Sequence, residues 1–150
     1  LQQRFPWLGN YVLQDITTHQ IDPACLYQLD RRYQERTAPH TGTIILLENP
    51  LFSLVALQLP LLLYFRIVGS FIKLSRDAAT ALQFSLHTAR YMKHLQELNN
   101  KYRWEAVARY HVAYHQARLR EMARGEYAGW GLADVGLHAT LLVGNEKTEV

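Results

Sequence analysis

From residue 51 to 74 nearly every position is apolar: Leu51, Phe52, Leu54, Val55, Leu57, Leu59, Leu61 to Leu63, Phe65, Ile67, Val68, Phe71, Ile72 and Leu74 lie in one stretch. Such a segment has no obvious solvent face and must be enclosed by something, either the rest of the protein or a bilayer. Between Glu48 and Arg66 lie 17 consecutive uncharged residues, just short of the usual membrane-spanning length. The run is interrupted by Pro50, Ser53, Gln58 and Pro60 and followed closely by Arg66, Lys73 and Arg76. We therefore expect a buried central element and no membrane partner. Pro60 lacks the N–H of a helical hydrogen bond and clashes with the preceding turn, which predicts a break there and two pieces, 51–58 and 61–74.

The flanking sequence is helical by period. In residues 77–98, Leu82, Leu86, Ala89, Met92 and Leu95 recur every three or four positions, with Gln83, His87, Arg90, His94 and Glu97 between them, the pattern of an amphipathic helix. Asn99 and Asn100 predict a tight turn, and residues 102–124 a second long helix closed by Gly125. Two long helices joined so tightly predict an antiparallel hairpin over 77–124. Upstream, Asp22 and Pro23 form an N-cap and first-turn pair, predicting a helix over 23–36 with Leu26, Leu29 and Tyr33 inward. Residues 37–43, with Pro39 and Gly42, read as a loop, and 44–47 as a weak strand candidate that we discount. A last helix is expected over 132–142 after Gly129, Trp130 and Gly131, and a frayed tail over 144–150. The expected fold is all-α: a compact multi-helix bundle in one domain, with a small N-terminal subdomain over 1–38 as an option.

The 150 residues are enough to bury a core, and a 49% hydrophobic fraction argues against disorder. A single cysteine, Cys25, allows no intrachain disulfide and no multi-thiolate zinc site, which favours an intracellular setting, cytoplasmic or nuclear. The chain begins at Leu1 and reads as a piece of something longer, without a secretory signal pattern. The net charge of +3 conceals a gradient: residues 66–124 hold 11 Lys and Arg against Asp77, Glu97, Glu105 and Glu121, a local charge of +7. That middle suits RNA, DNA or an acidic partner, and equally an ordinary solvated helix surface. The candidate nucleic-acid contacts are Arg90, Lys93, Lys101, Arg103, Arg109, Arg120 and Arg124.

Catalytic chemistry finds little footing. Ser53, Ser70, Ser75 and Ser85 lack a nucleophile-elbow setting, and Cys25 has no local base. Asp30 with Glu35 and Glu121 with Glu126 sit among arginines as surface ion pairs would, and no glycine-rich phosphate loop occurs. His111 and His115 stand one helical turn apart, a spacing that can place two imidazoles on one metal. The zincin pattern requires Glu after the first His, and Val112 is there instead. His94, Glu105 or Glu121 would have to complete a site. The competing reading packs both histidines into a helix interface with Trp104, Val112, Leu119 and Met122, and it is the one we adopt; no cofactor and no catalytic residue are assigned. Tyr110 and Tyr114 repeat the four-residue step, and aromatic residues at helical spacing bury large apolar areas more often than they stack bases. Trp104, Tyr110, His111, Tyr114 and Trp130 are the candidate interface residues for a second copy.

The order Tyr91-Met92, Leu95, Tyr102, Trp104, Val107, Tyr110-His111, Arg118, Trp130, Asp134, Leu137 and Leu141 resembles the Gag-like first protein of tyrosine-recombinase (DIRS-type) retrotransposons. The resemblance covers residues 20–143. It implies a helical body that self-associates into homo-oligomers, as a capsid-type protein does, and packages nucleic acid. Two departures stand out: there is no Cys/His knuckle, and His111 occupies a position where many members carry Asp. The alternatives are an RNA/DNA-binding or protein-adaptor module unrelated to Gag, and a metal-dependent enzyme built on His111 and His115.

Overall fold

The computed structural model describes residues 1–29 and 49–148, which form an all-α bundle. Its helices are α1 (Asn10–Thr17), α2 (Leu54–Ser75), α3 (Ala78–Lys101), α4 (Trp104–Ala123) and the short α5 (Val135–Leu137), which widens into a π turn over His138–Leu142. The expected loop at 37–43, the discounted strand at 44–47 and Tyr33 lie outside the described residues.

Each long helix starts where a polar side chain satisfies a free N–H. The Asn49 side chain accepts from the Leu51 N–H ahead of a 3-10 turn, Pro50–Phe52, and Ser53 then caps α2 by accepting from the Ala56 N–H at 3.0 Å. Asp77 caps α3 through the Thr80 N–H at 2.6 Å. Gly125, at φ +83°, closes α4 with its N–H on the Met122 carbonyl, the C′ role expected of it.

Three local expectations are corrected. Pro60 does not divide the apolar stretch: α2 runs through it for 22 residues. Leu54 and Leu57 before the proline and Leu61 and Tyr64 after it are all buried on the same side, so core packing on both flanks outweighs the lost hydrogen bond. Asn99 and Asn100 likewise lie inside α3, because Leu95, Leu98 and Tyr102 carry the buried face past them; the chain turns only at Tyr102 and Arg103, both extended. The segment after Asp22 begins as predicted, with Asp22 Oδ1 accepting from the Ala24 N–H at 2.9 Å. Pro23–Leu29 is nevertheless a 3-10 segment kinked at Cys25, and Pro23, Leu26 and Leu29 are all buried. A three-residue step aligns those positions where an α-helical step would not.

Residues 1–29 share one core with the long helices: Phe5, Leu8, Leu13, Ile16, Leu26 and Leu29 are buried in the same cluster as Leu57, Val68, Leu95 and Val107. The backbone of α3 packs most extensively on α2 and on the turn Ala128–Gly131. It meets α4 chiefly through rings, in antiparallel order: Tyr91 against His111 and Tyr114, His94 against Tyr110. Beyond Gly144, the Arg103 N–H donates to the Asn145 carbonyl and the Lys147 N–H to the Lys101 carbonyl, each at 2.9 Å, which ties the chain to the α3–α4 corner as far as Lys147.

Candidate functional site

The sequence places Tyr110, His111, Tyr114 and His115 on one side of α4, and all four are buried. Trp130 fills the space they face. Its ring lies 5.1 Å from Tyr91 of α3, 4.8 Å from Phe65 of α2 and 5.1 Å from His115 of α4, edge-on or tilted in each case. Its indole N–H points at Met122 Sδ, 3.5 Å away. The turn carrying this ring is fixed by Tyr114, whose Oη stands 2.8 Å from the Gly129 carbonyl and 2.6 Å from that of Leu132 and donates its one proton to either. The Arg118 guanidinium lies over the Tyr114 ring, 4.4 Å from its centre, and pairs with Glu121 at 2.8 Å. A Cβ at Gly131 would stand 2.5 Å from His87 Nδ1, so the backbone there approaches α3 too closely for most side chains.

His111 and His115 are both inaccessible to solvent, their ring centres 5.7 Å apart. Tyr91 Oη lies 2.6 Å from His111 Nδ1. Among the described residues, His111 Nε2 and both nitrogens of His115 have no hydrogen-bond partner, and His115 is held between the rings of Tyr64 and Trp130. Burial disfavours the imidazolium form. It lowers the His111 pKa from 6.5 to about 4, and lowers that of His115 well below the usual value, with the neighbouring His111 adding to the effect. Burial also holds the Tyr114 phenol up at about 12. Both histidines are therefore neutral near pH 7. His94 bonds Tyr110 across the α3–α4 seam at 3.4 Å, and among the described residues no group of three or more His, Cys, Asp and Glu is placed to hold a metal.

The candidate interface residues are engaged largely within the chain. Tyr110, His111, Tyr114 and Trp130 pack within one chain, and the half-buried Trp104 donates its indole N–H to the Leu51 carbonyl at 2.7 Å. Tyr110, His111, Tyr114 and Trp130 are spent on contacts within their own chain, and of these residues only Trp104 keeps some exposed surface. The basic residues fare differently: Arg90, Lys93, Lys101, Arg103, Arg109, Arg120 and Arg124 are all exposed. Arg103 also bonds the Asn145 side chain, and Arg124 lies 3.6 Å from Glu126.

The surface that sequence reasoning missed is on α2, expected to be enclosed on all sides. Phe52, Val55 and Leu59 are 69%, 81% and 66% exposed. Val55, Leu59 and the partly exposed Leu62 follow the four- and three-residue steps of one helix face. Leu62 also lines a groove between α2 and α3, opposite Leu82, and Leu82 and Leu86 are exposed in turn. Soluble chains seldom leave so contiguous an apolar surface without a use for it. By length and composition α2 is also apolar enough to cross a membrane, although eight of its residues belong to the core. No family model, curated protein or solved structure matches the chain.

Proposed function

We propose that this chain is a non-enzymatic self-assembly domain, of the kind a retroelement Gag-like protein uses, whose copies meet through the outward apolar stripe of α2. The observation that carries this reading is the exposure of Val55 and Leu59 on one face of α2, with Phe52 of the preceding 3-10 turn exposed as well. A stripe along a single helix is self-complementary about a twofold axis, so two copies can bury it without a second, different surface. The exposed cations of α3 and α4 would then face nucleic acid through phosphate contacts that need no base recognition.

Native mass spectrometry and light scattering over a concentration series test it. The wild-type chain should associate, and Val55→Glu with Leu59→Glu should yield a monomer of unchanged helicity, since both side chains point outward. A wild-type chain that stays monomeric at high concentration refutes the proposal. Nucleic-acid binding is a separate arm: affinity should fall steeply with added salt and weaken when Arg109 and Arg120 become Glu. The metal-enzyme alternative draws no support from two histidines sealed in the core without a third ligand at hand among the described residues.

A further inference from the structure

The groove between α2 and α3 has a volume of about 530 Å³ and a lining that combines three properties. Its floor is apolar, with Leu62 and Phe65 from α2 and Leu82 and Met92 from α3. Several positions are small, Gly69 on α2 and Ala81, Ser85 and Ala89 on α3, which lets another backbone approach closely. Its cations are Arg4, Arg66 and Lys73, and among the described residues no Asp or Glu lines it. Arg4 donates to Ser70 Oγ at 3.3 Å, whereas Arg66 and Lys73 are exposed and make no ion pair among the described residues. Asp77, at the connection between the helices, is engaged by the Thr80 N–H.

We propose that this groove docks an acidic amphipathic helix of a partner protein. On α3 the lining runs from Ala78 to Met92, about 21 Å at ~1.5 Å per residue, which accommodates about four helical turns. Helix-in-groove recognition uses apolar anchors every three or four residues, and Leu62, Leu82 and Met92 provide their contacts. Arg66 and Lys73 are two turns apart on the α2 edge, so a matching helix places carboxylates two turns apart on one flank. A ligand with a single anionic head, such as a fatty acid, would engage only one end of this cationic edge. The chain's own described helices carry few carboxylates, so charge complementarity points to a partner other than a second copy. The docking surface adjoins the Val55 and Leu59 stripe at Leu62 and does not depend on self-assembly.

The probe is a fluorescein-labelled synthetic helix of about 14 residues, with leucines at three- and four-residue steps and glutamates along one flank, read by fluorescence anisotropy. We expect saturable binding that weakens at least tenfold for Arg66→Glu with Lys73→Glu, and again for Leu82→Asp. It should be unchanged for Arg109→Glu with Arg120→Glu, and retained by the Val55→Glu, Leu59→Glu chain, which separates this site from the assembly surface. A scrambled peptide of the same composition should bind at least tenfold more weakly. Equal binding of the scrambled peptide, or insensitivity to the groove substitutions, overturns the proposal. So does failure to bind the helix while anionic phospholipid vesicles or single-stranded RNA are bound through Arg66 and Lys73.

Discussion

Replacing His115 by Phe should leave the protein as stable as before at pH 7, or more so, and less sensitive to acid. The wild-type imidazole sits between the rings of Tyr64 and Trp130, at centre distances of 4.8 Å and 5.1 Å, with no partner for either nitrogen. A buried polar group left unpaired costs ~1–3 kcal/mol, and an apolar ring of similar shape removes that cost. The slightly larger phenyl ring gives back part of the gain through tighter packing. We expect a net gain of about 1 kcal/mol, a rise of roughly 2–4 °C in Tm for a domain of this size. The pH dependence sharpens the test. Both histidines have folded-state pKa values below the unfolded value, so the unfolded chain takes up protons that the native chain refuses. Their contribution is complete above pH 6.5 and is lost as pH falls towards the folded values. For His111, depressed from 6.5 to about 4, the loss at pH 5 is about 2 kcal/mol. His115 shifts in the same direction, and His19 and His94, also lowered by burial, are common to both proteins. Urea titrations at pH 7 and pH 5 should therefore show a smaller acid loss for His115→Phe than for the wild type. A variant more than about 1 kcal/mol less stable at pH 7 would refute the reasoning, because it would mean that the imidazole nitrogens have a partner whose loss is felt.

Trp130→Ala removes the ring shared by α2, α3 and α4, and should cost about 3–5 kcal/mol in thermal or urea unfolding, with loss of near-ultraviolet ellipticity. Pro60→Ala restores the hydrogen bond to the Ala56 carbonyl inside α2 and should stabilise the chain by about 1–3 kcal/mol; helicity and Tm measured together check it. Asp77→Ala takes the acceptor from the Thr80 N–H and should lower the Tm measured by circular dichroism, an effect that Asp77→Asn largely avoids.

Helix positions were legible where chemistry marks them locally. Gly125 marked the end of α4, and the apolar period located α3 but misplaced its inner face: Leu82 and Leu86 are exposed, whereas Phe84, Thr88, Tyr91 and Leu95 are buried. The burial of His115 followed from its place on one helical face with Val112, Leu119 and Met122. What failed had a common physical origin, since each case required knowledge of a neighbour. Pro60 and the Asn99-Asn100 pair carry weak local preferences that buried side chains on either side override. The 3-10 segment at Pro23–Leu29 answers to the three-residue spacing of its buried positions. Periodicity has no phase in residues 51–74, because a stretch apolar on all sides does not reveal which side faces out. Aromatic residues pose the converse problem: Tyr110, Tyr114 and Trp130 have the same composition signature at an interface between chains as inside one.

The placement of those rings bears on where the proposed association between copies would occur. Tyr91, Tyr110, Tyr114 and Trp130 spend their contact area joining α3, α4 and the Ala128–Gly131 turn, so a mutation among them should act first on folding. The α2 stripe has the opposite character. Val55 and Leu59 lie on the face turned away from Leu54, Leu57, Leu61 and Tyr64, and the core is closed without them. A charge introduced there meets water in the monomer and a neighbour only in an assembly. Stability and association should consequently separate by location: Trp130→Ala lowers both, whereas Val55→Glu with Leu59→Glu abolishes association and leaves the unfolding midpoint of the monomer in place.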